Sequence, residues 1–324
     1  MTLRAVRPAG SEDTMILMRI IVGLASSALL ALQAYAGQST DGGLHLPVVA
    51  QKADAKRVST AARLAATDSQ EGPKSDFVVF DATSYHQKPD LSRYGLRPVF
   101  MVAPAMIWPS DRHGDPLPDR GLVRRAALQA AKSNGIAVLD IEHWSLTGDP
   151  SVVQASIKKY ETLIQWFKMA APSVTVGYYG VAPTRTYWAA FQPKDSPKYI
   201  AWQAVNDREA PIARLEDILL PSVYTFYEDR EGWVQYAIQQ IQEARRYGGN
   251  KPVYVFLWQQ YHASNQKLAG TYLPPEFWRL QLETARKYAD GVVIWGEYDD
   301  TWNETAPWWL ETKSFLERIG ANRR

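Results

Sequence analysis

The sequence predicts an α/β protein built as a TIM-like (β/α) barrel, distorted or seven-stranded, over residues 76–324. Short apolar runs alternate with helix-period segments along the whole of that region. Each run is continuous in its apolar character, which is how parallel strands covered on both faces read. Many of the runs end in acidic or aromatic residues, and a barrel collects its working groups at the carboxyl ends of its strands. An open doubly wound sheet is the competing arrangement. The residues after the first run, Asp81-Ala82-Thr83-Ser84-Tyr85, are not the Gly-rich phosphate turn that such a sheet would carry.

Taken in order, residues 15–36 combine the basic Arg19, an apolar stretch at 20–32 and the small-x-small triplet Ala34-Tyr35-Ala36. These are the parts of a secretory signal covering residues 1–36, and they predict a secreted or periplasmic protein with no membrane contact after cleavage. The apolar stretch is short for a membrane span. Residues 37–75 mix Gly, Ser, Asp, Lys and Ala without sustained period and predict a flexible linker. The first strand, Phe77-Val78-Val79-Phe80, ends at Asp81, and the second covers 97–103. A loop rich in Pro and Asp follows with Trp108 and His113, then a helix over 120–133 and the central strand 136–139. Asp149-Pro150-Ser151 opens the next helix, which keeps Ile157, Tyr160, Ile164 and Phe167 at helical spacing until Ala171-Pro172. Strand 174–180 and a helix over 187–203 come next. The fifth strand, 218–224, contains Pro221 and is expected to be short and irregular. Helix 232–247, strand 252–258, helix 274–288, strand 291–295 and helix 307–319 complete the count.

Composition narrows the chemistry. The net charge of +2 and the lack of a dense basic run give no footing for nucleic acid. With no Cys, thiolate nucleophiles, disulfides and Cys-bound zinc are excluded. No His and carboxylate spacing suggests a metal, no cofactor is called for, and no Gly-x-Ser-x-Gly elbow suggests a serine hydrolase. The 12 Trp and 17 Tyr supply flat amphipathic surfaces, useful equally for core packing and for pyranose rings.

The chemistry concentrates in residues 135–144, Gly-Ile-Ala-Val-Leu-Asp-Ile-Glu-His-Trp. Strand alternation sends Asp140 and Glu142 to one side and Ile141 to the other. Two acids so placed do not ionise independently, and one of them can hold a proton near neutrality beside a fixed anion. The plainer reading is that they cap the next helix or pair with Arg. Trp144 behind them suggests a sugar site, whereas His143, opposite Glu142 on an ideal strand, reads as a packed imidazole.

Further candidates sit at other strand ends. Glu297, Asp299 and Asp300 follow Trp295, and one of them could face Glu142 as a conventional nucleophile; the alternative is a solvated, capping loop. Trp258 and Tyr261 could stack on sugar or belong to the core. Asp81 could reach the pocket or satisfy nearby backbone N–H groups. Trp302, Trp308 and Trp309 read as packing against the barrel base.

Residues 137–144 resemble the catalytic segment of the hyaluronidases, a bacterial relative of which would be a glycoside hydrolase. Gly177-Tyr178-Tyr179-Gly180, Leu220-Pro221-Ser222-Val223-Tyr224 and Gly291-Val292-Val293-Ile294-Trp295-Gly296 agree with that family in order and spacing. The resemblance implies an incomplete, seven-stranded barrel. It implies Glu142 as proton donor and later base, and Asp140 as the group orienting a substrate acetamido carbonyl that attacks the anomeric carbon itself. Tyr224 would hydrogen-bond the acetamido group, Tyr179 would line the subsite and Trp295 would floor it. The chain departs from the animal enzymes at Ile141, at His143 and in the Cys-free turn 182–185. The substrate it implies is therefore a polysaccharide or oligosaccharide with an N-acetylhexosamine, and the competing class is a carbohydrate-binding barrel without hydrolysis.

Overall fold

A sheet of six parallel strands carries the molecule: β1 Val78–Thr83, β2 Arg97–Val102, β3 Ile136–Leu139, β4 Val176–Tyr178, β5 Tyr254–Trp258 and β6 Gly291–Gly296. Their order across the sheet is β4-β3-β2-β1-β6-β5. This is a computed structural model that describes residues 76–109, 116–298 and 300–321. The expected signal and linker, with His113 and Asp299, lie outside the described residues.

The two edges of the sheet are joined by residues 218–225, which contain the expected fifth strand, 218–224. Leu220 O accepts from Gly180 N at 3.0 Å on one side, while Leu219 N donates to Pro252 O at 2.9 Å on the other. Isolated parallel bridges pair Tyr179 with Leu220, Leu219 with Val253 and Ser222 with Phe256. Pro221 has no N–H to give, so the stretch cannot carry a regular ladder, yet its carbonyl still accepts from Phe256 N at 2.9 Å. The ring closes with seven positions, one of them irregular. Gly177 makes the closure possible, because a Cβ there would collide with the Ile218 carbonyl.

Side-chain parity separates two apolar layers. Phe80, Ala82, Ile136, Val138, Leu220, Phe256 and Val293 fill the interior. Val79, Ala137, Leu139, Ile141, Tyr178, Leu257 and Ile294 belong to the larger core outside the sheet. Burial on both faces explains why the strands read as unbroken apolar runs.

The helices are α1 Pro104–Ile107, α2 Arg120–Ala130, α3 Pro150–Ala170, α4 Pro197–Leu215, α5 Arg230–Gly248, α6 Pro275–Tyr288 and α7 Pro307–Ile319. Asp119, Asp149 and Asp229 accept backbone N–H groups at the starts of α2, α3 and α5. The expected helix 187–203 is two pieces. A 3-10 turn, Tyr187–Phe191, stops before Pro193, and α4 restarts where Ser196 Oγ accepts from Tyr199 N at 3.2 Å with Pro197 behind it. Among the described residues no helix is long and apolar enough to cross a membrane.

Candidate active site

Beyond Leu139 the chain keeps strand register for one more bond, Asp140 N to Val102 O at 3.1 Å. Asp140 continues the inward face of Ile136 and Val138, whereas Ile141 is fully buried in the outer core. The stretch is clamped from behind: Tyr160 OH donates to Ile141 O at 2.8 Å and to Trp144 O at 3.3 Å, and Tyr178 OH donates to Tyr160 O at 2.8 Å. Asp140 is half-buried and Glu142 reaches the solvent at the barrel mouth. Among the described residues neither carboxylate accepts a hydrogen bond from the protein.

Burial pushes the Asp140 carboxyl up to about 7, and the charge of Glu142 adds to the effect. Burial also raises Glu142, while the Arg185 guanidinium pulls it back toward the anion. The charges of both acids bear on Tyr224, so the two share one mouth.

Aromatic rings wall that mouth. The Tyr224 ring lies 6.0 Å from Tyr179, 5.7 Å from Trp258 and 6.0 Å from Trp295, and Trp258 meets Trp295 at 5.0 Å and 82°. The structure thus brings Asp140, Glu142, Tyr179, Tyr224, Trp258 and Trp295 together. Burial pushes Tyr179 up to about 12 and Tyr224 well above the ordinary phenol range, so both keep their O–H donors at neutral pH. Glu297 is half-buried, follows the inward-facing Trp295 at the same parity, and its charge is felt at Tyr298 and Tyr85. Asp300 lies one layer back, where its carboxylate accepts from Gln260 Nε2 at 3.4 Å and Tyr272 OH at 3.3 Å. Gln260 in turn accepts from Trp258 Nε1 at 2.9 Å, so Asp300 helps to fix that indole.

Other candidates stand elsewhere. Asp81 shares the outward parity of Val79, and its carboxylate is taken by Thr83 N at 3.0 Å, Thr83 Oγ1 at 2.6 Å and Lys88 Nζ at 2.7 Å. The strand places it away from the mouth. Trp144 is buried and packs on Tyr160 at 5.1 Å and Trp108 at 5.6 Å, which makes it core rather than wall. His143 meets the edge of Trp108 at 5.0 Å. Trp302 and Trp308 pack on Tyr85, just beyond the carboxyl end of β1, rather than at the barrel base. Trp309 packs beside them. Tyr261 is buried beside Thr225. Among the described residues no group of three or more His, Asp or Glu could hold a metal ion.

Sequence reasoning missed Arg185, Ser222, Tyr298 and His262. Arg185 Nη1 donates to Ser222 Oγ at 3.4 Å, Ser222 Oγ lies 3.1 Å from Tyr179 OH, and the guanidinium sits 5.6 Å over the Phe226 ring. The loop bearing Arg185 is anchored to α4: Glu209 accepts from Ala182 N and Thr184 Oγ1, and Asn206 accepts from Thr184 N. The charge of Asp140 raises the Tyr298 phenol, after burial, which puts that ring beside the acids. His262, 4.8 Å from Phe226, is pushed down to about 4 by burial and by Arg185, and stays neutral. The one signal available was position, since these residues lie in or just after strand-end segments.

No protein-family model and no curated protein sequence matches the chain. Among solved structures, bee venom hyaluronidase superposes with a TM-score of 0.52 at 16% identity, covering 76% of this chain and 100% of that one. The same enzyme in complex with a hyaluronic acid tetramer gives 0.49 at 18% identity, over 76% and 99% of the two chains. A glycoside hydrolase family 5 enzyme from Prevotella bryantii gives 0.43 at 10%, over 76% and 96%. The first likeness defines the fold class as a (β/α) barrel, and at that identity it speaks to the fold alone.

Proposed function

We propose that the protein is a secreted or periplasmic glycoside hydrolase, hyaluronidase-like, that cleaves a polysaccharide or oligosaccharide beside an N-acetylhexosamine with retention of configuration. One observation carries the reading. Two acids two positions apart, accepting no hydrogen bond from the described residues, face an aromatic-walled mouth where their ionisation is linked. A protein that only bound sugar would have no use for that arrangement.

The residues divide the work as follows. Asp140 and Glu142 titrate as a pair that holds one proton near neutrality. An acetamido N–H donating to Asp140 favours its anion and leaves the proton with Glu142, where the leaving oxygen needs it. The acetamido oxygen attacks the anomeric carbon as Glu142 gives up its proton, and Glu142 then takes one from the water that opens the cyclic intermediate. Tyr224 and Tyr179 offer phenol donors to the acetamido group, and Trp295 with Trp258 supports the ring from below.

Reducing ends released from a panel of N-acetylhexosamine polymers test the activity, and a thiazoline analogue of the cyclic intermediate should inhibit at micromolar concentration or better. Release of no sugar from any polymer that binds would make the protein a carbohydrate-binding barrel. Glu297, inward-facing by parity, favours one alternative, a covalent retaining enzyme with a protein nucleophile. A glycosyl group trapped on Glu297 by mass spectrometry would replace the acetamido route with that one. Asp299, the other nucleophile candidate, lies outside the described residues.

A further inference from the structure

A row of rings leaves the mouth on one side. From Trp258 it passes to His262 at 6.2 Å, then to Phe226 at 4.8 Å, to Tyr227 at 6.4 Å and to Trp188 at 5.5 Å. The last two are open to solvent: Trp188 is 61% exposed and Tyr227 42%. Both belong to segments that follow inward-leading strand positions, the 3-10 turn Tyr187–Phe191 after β4 and the loop after residues 218–225. They therefore lie on the carboxyl-end face that carries the acids.

The exposed pair is held rigidly. Tyr187, buried beneath it, meets Trp188 at 5.2 Å, Tyr227 at 4.9 Å and Tyr236 of α5 at 5.1 Å. Rings fixed from behind lose little conformational entropy when a ligand stacks on their free faces. The strip is narrow: Phe191, 36% exposed and 6.0 Å from Trp188, is a third open ring, and the neighbours Gln192 and Glu228 are polar. A stable protein interface needs a broader area than three such rings supply. A flat, partly apolar, hydroxyl-bearing ligand suits it, and a chain of sugars would have to travel further than one ring to reach it from Glu142.

We propose that Trp188 and Tyr227 form an outlying subsite that stacks the sugar rings of a polymer running out of the mouth past His262 and Phe226. This rests on the reading of the mouth as a sugar site.

The test uses the full chain carrying Glu142→Gln, titrated with hyaluronan, unsulfated chondroitin and partially acetylated chitosan, each as polymer and as tetrasaccharide. Trp188→Ala on that background should weaken binding of the polymer on the order of tenfold, and of the tetrasaccharide far less. Tyr227→Ala should act in the same direction, and Trp188→Phe should recover most of the loss. Equal losses for both lengths, or none for either, would overturn the subsite, as would a change confined to self-association in sedimentation. Should the unsubstituted protein bind polymer without cleaving it, the hydrolase reading fails while the subsite is still judged by the length dependence. Binding of no polymer at all sinks both.

Discussion

Two pairs of carboxyl groups with raised pKa can be set side by side. Glu209 and Glu216, on α4 and at its end, are buried, and burial pushes them up to about 7 and about 8, no less than Asp140. Both, however, are sealed from solvent and each accepts from a backbone N–H, although Glu216 Oε2 has no partner among the described residues. Glu209 accepts from Ala182 N and Thr184 Oγ1, and Glu216 accepts from Tyr178 N at 2.7 Å. Asp140 and Glu142 have comparable electrostatics, but their side chains accept nothing from the described residues and face an opening. A raised pKa alone therefore does not mark chemistry; a raised pKa on an acid that opens onto the mouth does. The helical pair serves the other one indirectly, since Glu209 fastens the loop that brings Arg185 to Glu142.

The largest test of that contrast is Glu142→Gln against Glu209→Gln. The first should cost roughly a thousandfold or more in turnover on polymer, at unchanged melting temperature. The second keeps an acceptor for Ala182 N and should cost little. Comparable losses in both would erase the distinction. Next in size is Arg185→Gln, which removes the cation holding Glu142 down. The pKa of Glu142 then rises, so the basic limb of the kcat/KM profile should move to higher pH, by roughly half a unit to one unit. A limb that stays put, or moves down, would remove Arg185 from the control of the acid.

Much of this was readable from residue order. Asp140 and Glu142 follow an apolar run whose parity is unambiguous, and Pro221 marks the fifth position as irregular. The failures share a cause: parity holds only while the chain stays in the strand. Trp144 follows Glu142 by two residues, yet the backbone has already turned and Tyr160 has captured its carbonyl, so the indole goes to the core. Arg185 reaches the mouth only because Glu209 and Asn206, more than twenty residues later, pin its loop. No local pattern encodes that contact. The break in the expected helix 187–203 was legible in Pro193 and Ser196-Pro197, which outweigh the helical period around them.

A smaller effect separates the pairs by stability. The folded pKa of Glu216, about 8, lies above its ordinary value of 4.5. Its contribution is therefore fully present below the ordinary value and is lost as pH rises through the folded one, because the native state holds a proton the unfolded chain has released. Glu216→Gln fixes the neutral form, so the fall in melting temperature between about pH 5 and pH 9 should be shallower in the variant by roughly a few degrees. Parallel curves would mean that Glu216 is ionised in the native protein, with Lys251 as the nearest cation able to compensate it.

The smallest expected effect belongs to Asp81, the acid that ends on the wrong face of its strand. Asp81→Asn keeps an acceptor for Thr83 N and gives up the half-buried ion pair with Lys88, at a cost of up to about 1 kcal/mol in stability. Activity on polymer should stay within roughly twofold, because no atom of the pair lines the mouth. A large loss would carry more information than the expected result. It would mean that Lys88, which also donates to the Thr83 carbonyl, holds the end of β1 in the position that Tyr85 and Gln259 need behind Trp258. The wall of the mouth would then depend on a strand that contributes none of its proposed reactive groups.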